Sequence, residues 1–491
     1  MADKGKDDAR ARRMEAMADL RVFLREAEAE GELVRVKGAD AQMEVGALFE
    51  LSNEHLYPPV LLFEEIKGFD PRFRVLSNVR TSRFLVGDIS LDAVRAYRAR
   101  PKDKEKSVPI PPQDVNSGPV MDNIVEGDDV DLSRYPAPRW HQEDGGNYIG
   151  TECNIITKDP DSDWVNVGTY RVMIQDNKRL SVFIEPGKHG DVIRRKYWAK
   201  GEACPIVVTV GQAPILGVAA SLAAKDGESE FAIAGGRVNR PIKTVRGKLT
   251  GLPFPADAEL VFEGYMPPLD QESAVEGPFG EWPGYYASAD RPEPVVHVKA
   301  VYHRDDPLII GQPPVKPNYP GRQIKIPRLA SLWDAIEGAG VPGVTGVWLQ
   351  QGGGSRFIQV ISIKQMHAGH AKMAGLVAAG CRPGAYMTRM VVVVDDDIDI
   401  TNSAEVIWAM ATRWDPKTQT DIIDGCWTGH IDPVLSPEKR AADDITNSRI
   451  IIYAVRPWHW KDDFPKVNAV SREYADEVRD KWKSKLKFLQ D

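Results

Sequence analysis

Residues Ile206–Ala224 read IVVTVGQAPILGVAASLAA, the most apolar long stretch of the chain. If this were one helix the protein would cross a membrane; if it is broken, it belongs to a globular domain. Gly211, Gln212, Pro214 and Gly217 interrupt it, and the whole falls short of a clean bilayer span of about 20 apolar residues. Its first part, Ile206–Val210, is a run of strand length. The same texture extends from about Val120 to Gln312. Apolar runs at Tyr170–Ile174, Ser181–Ile184, Glu259–Phe262 and Val295–Val301 are separated by Gly, Pro, Asn and Asp turn signals, as in a β-rich, barrel-like domain.

On either side the pattern changes. Met14–Glu30 reads as one amphipathic helix with Leu20, Phe23 and Leu24 on a side and Gly31 as its stop signal. A strand at Leu33–Val36 follows, then mixed signals up to the proline-rich Val108–Pro112, which suggests a small α/β unit and a linker. Towards the C-terminus, helical signals at Arg328–Ala339, Ala368–Ala379 and Ala404–Arg413 alternate with strand signals at Val344–Leu349, Phe357–Ile363 and Met390–Val394. Such βα alternation predicts a partly parallel sheet. A closing helix carries Tyr474, Val478, Trp482 and Leu486 at four-residue spacing, a stripe free to dock on another domain or subunit. The expected fold class is therefore multidomain α/β (α+β): an N-terminal α/β domain (1–119), a central β-barrel domain (120–315) and a C-terminal α/β domain (316–491).

With 491 residues, 42% hydrophobic and 27% charged, the chain is too long for one core and ordinary for a soluble globular protein. A net charge of −8 argues against nucleic-acid binding. Cys153, Cys204, Cys381 and Cys426 are scattered without a C-x-x-C pair, so reduced thiols are expected rather than a zinc site or disulfides. The N-terminal MADKGKDDARARRMEAMADL has no apolar signal-peptide core. No membrane span is expected, and the expected location is the cytoplasm.

The chemistry concentrates in Glu276-Gly-Pro-Phe-Gly-Glu281. Pro278 and the two glycines exclude a helix interior, so a tight loop turns both carboxylates towards one centre. Two carboxylates in one cleft repel, and one of them then holds a proton near neutral pH. Alone, an E-x4-E pair would be a solvated turn; its surroundings decide otherwise.

The segment Glu276–Tyr286, EGPFGEWPGYY, resembles the acid-pair segment of the UbiD-like decarboxylases, which use prenylated FMN. Trp164–Arg171 (WVNVGTYR), Gly187–Gly190 (GKHG), Ala220–Glu230 (ASLAAKDGESE) and Pro255–Gly264 (PADAELVFEG) match that family in order and rough spacing, as do the later GHA and VVVVDDDIDI segments. The resemblance implies that the barrel is a split β-barrel binding the flavin. It implies that Arg171, Glu276 and Glu281 form a catalytic Arg–Glu–Glu network, with Glu281 as proton donor. Asn166, His189 and Glu230 match the ligands of a divalent ion, typically manganese, held against the cofactor phosphate. Their amide, imidazole and carboxylate donors suit manganese or magnesium better than zinc. Ala220 and Ser221 match the region of a potassium site. Gly168, Thr169 and Tyr170 lie where the family's backbone approaches the flavin, and Lys188 precedes the metal histidine. The family's phosphate-binding lysine before the valine-rich strand is here Arg389, and Lys188 stands where some relatives carry glutamine.

Other motifs fit structural roles. Asp395–Asp399 imitates a calcium loop, but Ile400 and Val406 replace the glycine and bidentate acid it needs. Gly352-Gly353-Gly354 lacks the ending of a phosphate loop and reads as a hairpin turn. His367 and His370 have no third ligand nearby in sequence. The expectation is a reversible, non-oxidative decarboxylase of an α,β-unsaturated or (hetero)aromatic acid. A flavin prenyltransferase would supply its cofactor, and a homo-oligomer (dimer or hexamer) is expected. The alternatives are a flavin reductase-type oxidoreductase and a non-catalytic subunit of a carboxylase complex. Pro313–Tyr319 and Trp427–Pro433 are expected to help line the substrate pocket.

Overall fold

The computed structural model describes residues 2–100, 108–222, 224–287, 289–317 and 326–486; Asn318 and Tyr319 of the expected pocket loop lie outside them. The expected single N-terminal helix is two, Ala2–Ala18 and Leu20–Ala29. Asp19 makes the break: its side chain accepts the N–H groups of Arg21 (2.7 Å) and Val22 (3.0 Å), satisfying donors at the start of the second helix. Strands Leu33–Lys37, Val60–Glu64, Arg74–Ser77 and Leu308–Gly311 form a four-stranded sheet in that order. The last strand, far along the chain, ties the N-terminal unit to the barrel.

The central ten-stranded sheet follows a path through Tyr148–Gly150, Arg171–Ile174, Arg179–Phe183, Arg291–His303, Leu260–Met266, Cys204–Val210, Cys153–Lys158 and Val165–Gly168. All neighbours on this path are antiparallel. Its last strand and its second strand are joined only by Thr169 and Tyr170. Three Cα steps span at most about 11 Å, whereas six strand spacings in a flat sheet would need about 29 Å. The sheet therefore curls into a half-barrel. This corner divides the WVNVGTYR segment between two strands. Arg171 begins a new strand on the opposite side of the curl, because the chain must cross from one end of the sheet to the other.

Alternation along the strands fills two cores. Ile206, Val208 and Val210 point into the barrel with Leu260, Phe262, Val296 and Val298. Val207 and Val261 face outwards under Leu216 and Phe231, which belong to helices Pro214–Ala220 and Glu230–Val238. The stretch Ile206–Ala224 is thus split between a strand and a helix. Among the described residues no helix is long and apolar enough to cross a membrane.

The C-terminal region has its own core around a five-stranded sheet ordered Val344–Leu349, Ile358–Ile363, Met390–Asp395, Thr446–Ala454, Thr420–Trp427. The two central pairings are parallel and the outer two antiparallel, as the βα alternation predicts. Helix Ser403–Arg413 is capped by Asn402, whose side chain accepts from Ala404 and Glu405 N–H. Asp395 and Asp397 accept from Arg413, so the acidic run is the polar end of a strand. The three glycines at 352–354 lie in the hairpin between the first two strands. His370 is fully buried: Nδ1 accepts Met366 N–H and Nε2 donates to Pro342 O, a structural role. All four cysteines are free. The terminal helix, Arg472–Trp482, leaves Tyr474 56%, Val478 37% and Trp482 40% exposed, and Leu486 lies beyond it.

Candidate active site

Glu276 ends strand Ser273–Glu276, in register with Arg291, and its side chain is fully buried. The chain then turns at Gly277 with φ +93°, a conformation that favours glycine. The turn is pinned from outside, since Gly145 N–H donates to Pro278 O at 2.8 Å. A Cβ on Gly145 would lie 1.8 Å from the Gly277 oxygen, so only glycine permits this approach. Phe279 packs its ring 4.3 Å from that of Tyr148, and a second turn closes through Gly284 N–H to Glu281 O at 2.8 Å. The loop forced by Gly and Pro therefore places two carboxylates on one side.

Arg171 meets both of them. Its Nε donates to Glu276 Oε1 (2.7 Å) and its Nη2 to Glu276 Oε2 (2.8 Å), while Nη1 donates to Glu281 Oε1 (2.6 Å). Tyr148 OH donates to Glu276 Oε1 at 2.9 Å. The guanidinium carbon lies 4.4 Å from the Phe183 ring centre and 5.4 Å from that of Phe279. The arginine fork thus closes on Glu276.

The two acids differ in environment. Glu276 has a bidentate cation and a phenol, which fix its position. Glu281 has one bond to Arg171. Burial pushes its pKa up to about 7; Arg171 pulls it back, and the charges of Glu185 and Glu276 push it further up. One carboxylate is clamped and the other is poised to hold a proton near neutral pH.

Asn166 and Glu230 come together across the barrel wall. Glu230 opens helix Glu230–Val238 and accepts Val167 N–H at 2.8 Å. Burial raises its pKa to about 7, the mark of a carboxylate without a cation. Asn166 is 2% exposed and its Nδ2 has no hydrogen-bond partner. The uncompensated Glu230 carboxylate fits a cation, to which Asn166 could add only its amide oxygen, since its unpartnered atom is a donor. His189 opens helix His189–Trp198, but its Nε2 meets Asp226 Oδ1 at 2.9 Å and its ring meets the edge of Trp164 at 4.8 Å. Among the described residues, no group of three His, Cys, Asp or Glu converges as a metal cluster.

The other expected residues are placed as follows. Gly168 lies under the Tyr170 ring, where a Cβ would be 2.5 Å from ring carbon; Gly190 lies against the same ring. Thr169 and Tyr170 form the corner that closes the barrel. Lys188 is exposed just before His189. Ser221 Oγ donates to Gly217 O and accepts from Arg80 Nη1 at 3.1 Å, while Arg80 also bonds Glu152 at 2.8 Å. Ala220 ends the adjoining helix. A guanidinium already occupies that hydroxyl, so any potassium contact from these two residues would come through their backbone oxygens. Arg389 has its Nη2 held by both Asp432 oxygens at 2.7 Å, and its guanidinium carbon lies 6.0 Å from the Phe357 ring centre.

Sequence reasoning missed Tyr148, Phe183, Asp226 and Arg80. Tyr148, Phe183 and Arg80 reach the site from segments that no motif marks, whereas Asp226 lies inside the Ala220–Glu230 segment, four residues before Glu230. Phe279 lay inside the acid segment itself, between the two glutamates.

Family profiles described as the 3-octaprenyl-4-hydroxybenzoate carboxy-lyase N-terminal, Rift-related and C-terminal domains match residues 24–93, 113–317 and 323–454. A pyrrole-2-carboxylic acid decarboxylase from Pseudomonas aeruginosa is 32% identical over 423 residues, 81% of this chain and 83% of the relative. The chain belongs to the UbiD family. It is a UbiD-like decarboxylase. A phenolic acid decarboxylase from Bacillus subtilis is 30% identical, covering 86% of this chain and 90% of the relative. The UbiD-class enzyme HmfF from Pelotomaculum thermopropionicum, solved in complex with FMN, superposes with a TM-score of 0.76 at 30% identity. That match covers 93% of this chain and 99% of HmfF. An evolved dimeric form of HmfF, solved with prFMN, gives 0.72 at 29% identity with the same coverage. The UbiD profiles end at residue 454, so the terminal helix lies outside them.

Proposed function

We propose that this UbiD-like decarboxylase removes the carboxylate of an α,β-unsaturated or (hetero)aromatic acid with prenylated FMN, in a reaction that also runs in reverse. The observation that carries this reading is the buried Arg171–Glu276–Glu281 network, with one acid clamped and the other held near pKa 7. The HmfF complexes with FMN and prFMN and the two aromatic-acid decarboxylases among the relatives support it. A flavin reductase would give the paired acids no task. The intact network likewise disfavours a non-catalytic subunit.

Asn166, His189 and Glu230 would hold a divalent ion, manganese by its donor set, against the cofactor phosphate, with His189 exchanging Asp226 for the metal. Bound prenylated FMN would supply the electron sink that accepts the pair released as the C–CO2 bond breaks. The protein's residues do the rest. Arg171 and Tyr148 hold Glu276 in place. Glu281, protonated, gives its proton to the carbon that carbon dioxide has left; its new charge is met by Arg171 Nη1 at 2.6 Å. The balance is one carboxylate and one proton in, one C–H product and carbon dioxide out. In reverse, Glu281 takes the proton from that carbon. Phe183, Phe279 and Tyr148 pack apolar surface around the guanidinium and keep water from it. A flavin prenyltransferase would supply the cofactor, and self-association as a dimer or hexamer is part of the proposal.

The experiment is co-expression with a flavin prenyltransferase followed by carbon dioxide release from a panel of aromatic acids. Turnover is expected with prenylated FMN and absent with FMN. Equal turnover with either flavin, or oxidation of a nicotinamide in place of carbon dioxide release, would overturn the proposal.

A further inference from the structure

Buried arginines in this chain are nearly always matched: Arg171 by two glutamates, Arg389 by Asp432, Arg413 by Asp395 and Asp397. Arg449 has no carboxylate but donates to the carbonyls of Ala379, Ala385 and Trp427. Arg139 and Arg440 likewise donate to single carbonyls, of Gln142 and Asp432. Two further half-buried arginines, Arg356 and Arg328, have weaker partners still, and Arg356 lies beside the acid loop. Arg356 follows the 352–354 glycine turn, and its guanidinium carbon lies 5.4 Å from the Trp282 ring centre and 5.8 Å from that of Tyr386. Trp282 is the residue after Glu281, and its ring also meets Phe357 at 5.2 Å. Arg328, on helix Ile326–Gly338, has one long contact, Nη2 to Pro383 O at 3.5 Å, and its buried Nε has no partner. Among the described residues no carboxylate pairs with either guanidinium.

The cost of this arrangement is visible in the charges. Burial pushes Arg328 down to about 10, and the charge of Arg356 lowers it further; burial also lowers Arg356. Burial raises the Tyr386 hydroxyl, which feels both arginines on one side and Glu185 and Glu281 on the other. Two like charges held together without counter-ions are unfavourable unless something anionic visits them. Trp282, Phe357 and Tyr386 supply flat apolar faces beside them, and arginine stacks on such faces while its N–H fork stays free for an oxyanion.

We infer that Arg328 and Arg356 form a second anion subsite, which selects aromatic diacids: one carboxylate leaves at Glu281 while the other is held by the arginine pair. This deepens the decarboxylase reading of the site and rests on it. Trp282 links the two: it follows Glu281 in the chain, and its ring stands beside Arg356. A neutral substituent at the far end would leave the pair uncompensated.

The test is a calorimetric titration of the purified full-length protein carrying FMN, with benzene-1,3- and 1,4-dicarboxylate as probes. Each is compared with its carbamoylbenzoate counterpart, which has the same shape and one charge less. Charge-assisted hydrogen bonds to two arginines should make a dianion bind about 10- to 100-fold more tightly than its monoanionic counterpart. Arg356→Gln and Arg328→Gln should each remove most of that preference, and Arg356→Lys should restore part of it. Dianions binding no more tightly than monoanions, or a preference unchanged in both glutamine variants, would overturn the inference. Binding is read without turnover, so a failure to release carbon dioxide would count against the proposed function and not against this subsite.

Discussion

Raising the pH through neutrality should silence Glu281, and the effect can be sized from its surroundings. Its carboxyl is held at about 7 against an ordinary 4.5, because burial outweighs the pull of Arg171. At pH 6 roughly nine molecules in ten carry the proton, and at pH 9 roughly one in a hundred, so proton delivery should fall about 100-fold between them. The same group leaves a signature in stability. Its pKa is raised on folding, so its contribution is complete below about pH 4.5 and is lost as the pH climbs through about 7. A gap of that size is worth about 3 kcal/mol. Glu281→Gln cannot ionise and should lack this component. Wild type and Glu281→Gln would be unfolded by urea at pH 5 and pH 8.5, with product formation followed from pH 5.5 to 9.5 in the wild type. The wild type should lose more stability than the variant between the two pH values, by about 3 kcal/mol. Parallel losses in both proteins, together with a rate that is flat from pH 6 to 9, would refute the argument.

Arg171→Lys keeps a charge but loses the fork on Glu276 and the separate bond to Glu281; carbon dioxide release should fall by roughly 10²-fold or more while bound flavin, read by absorbance, is retained. Tyr148→Phe removes the remaining hydrogen bond to a fully buried carboxylate and should cost about 1.5–3 kcal/mol in urea unfolding. His189→Ala should remain folded yet lose both metal and flavin, measured by elemental analysis and by the spectrum of released cofactor. Its ring makes one side-chain bond, to an exposed aspartate, so the fold loses little.

Much of this architecture was legible because it follows from periodicity. The barrel strands around Ile206–Val210 and Val295–Val301 and the C-terminal alternation are patterns of two and of 3.6 residues, and the structure repeats them within a residue or a few. Two local breaks were not legible. Asp19 looks like any polar residue in a helix until its side chain caps the next one, and the Thr169–Tyr170 corner reads as strand because its residues favour strands. The acid loop was legible because Gly277, Pro278 and Gly280 exclude a helix. What the acids touch was not: Tyr148 and Phe183 arrive through strand pairings that no single segment encodes. Arg389 stands where the resemblance places a phosphate-binding lysine. Its partner, Asp432, lies more than forty positions away and takes that charge within the C-terminal region.

The central claim is that Glu281 delivers the proton to the carbon that loses carbon dioxide. It is tested most directly by reconstituting wild type and Glu281→Gln with prenylated FMN in D2O, then following carbon dioxide release and deuterium at the vacated carbon in the same samples. The account predicts one deuterium per carbon dioxide in the wild type. In Glu281→Gln both should be slower by roughly 10²–10⁴-fold, with flavin occupancy unchanged. Glu281→Gln releasing carbon dioxide and incorporating deuterium at wild-type rates would contradict it.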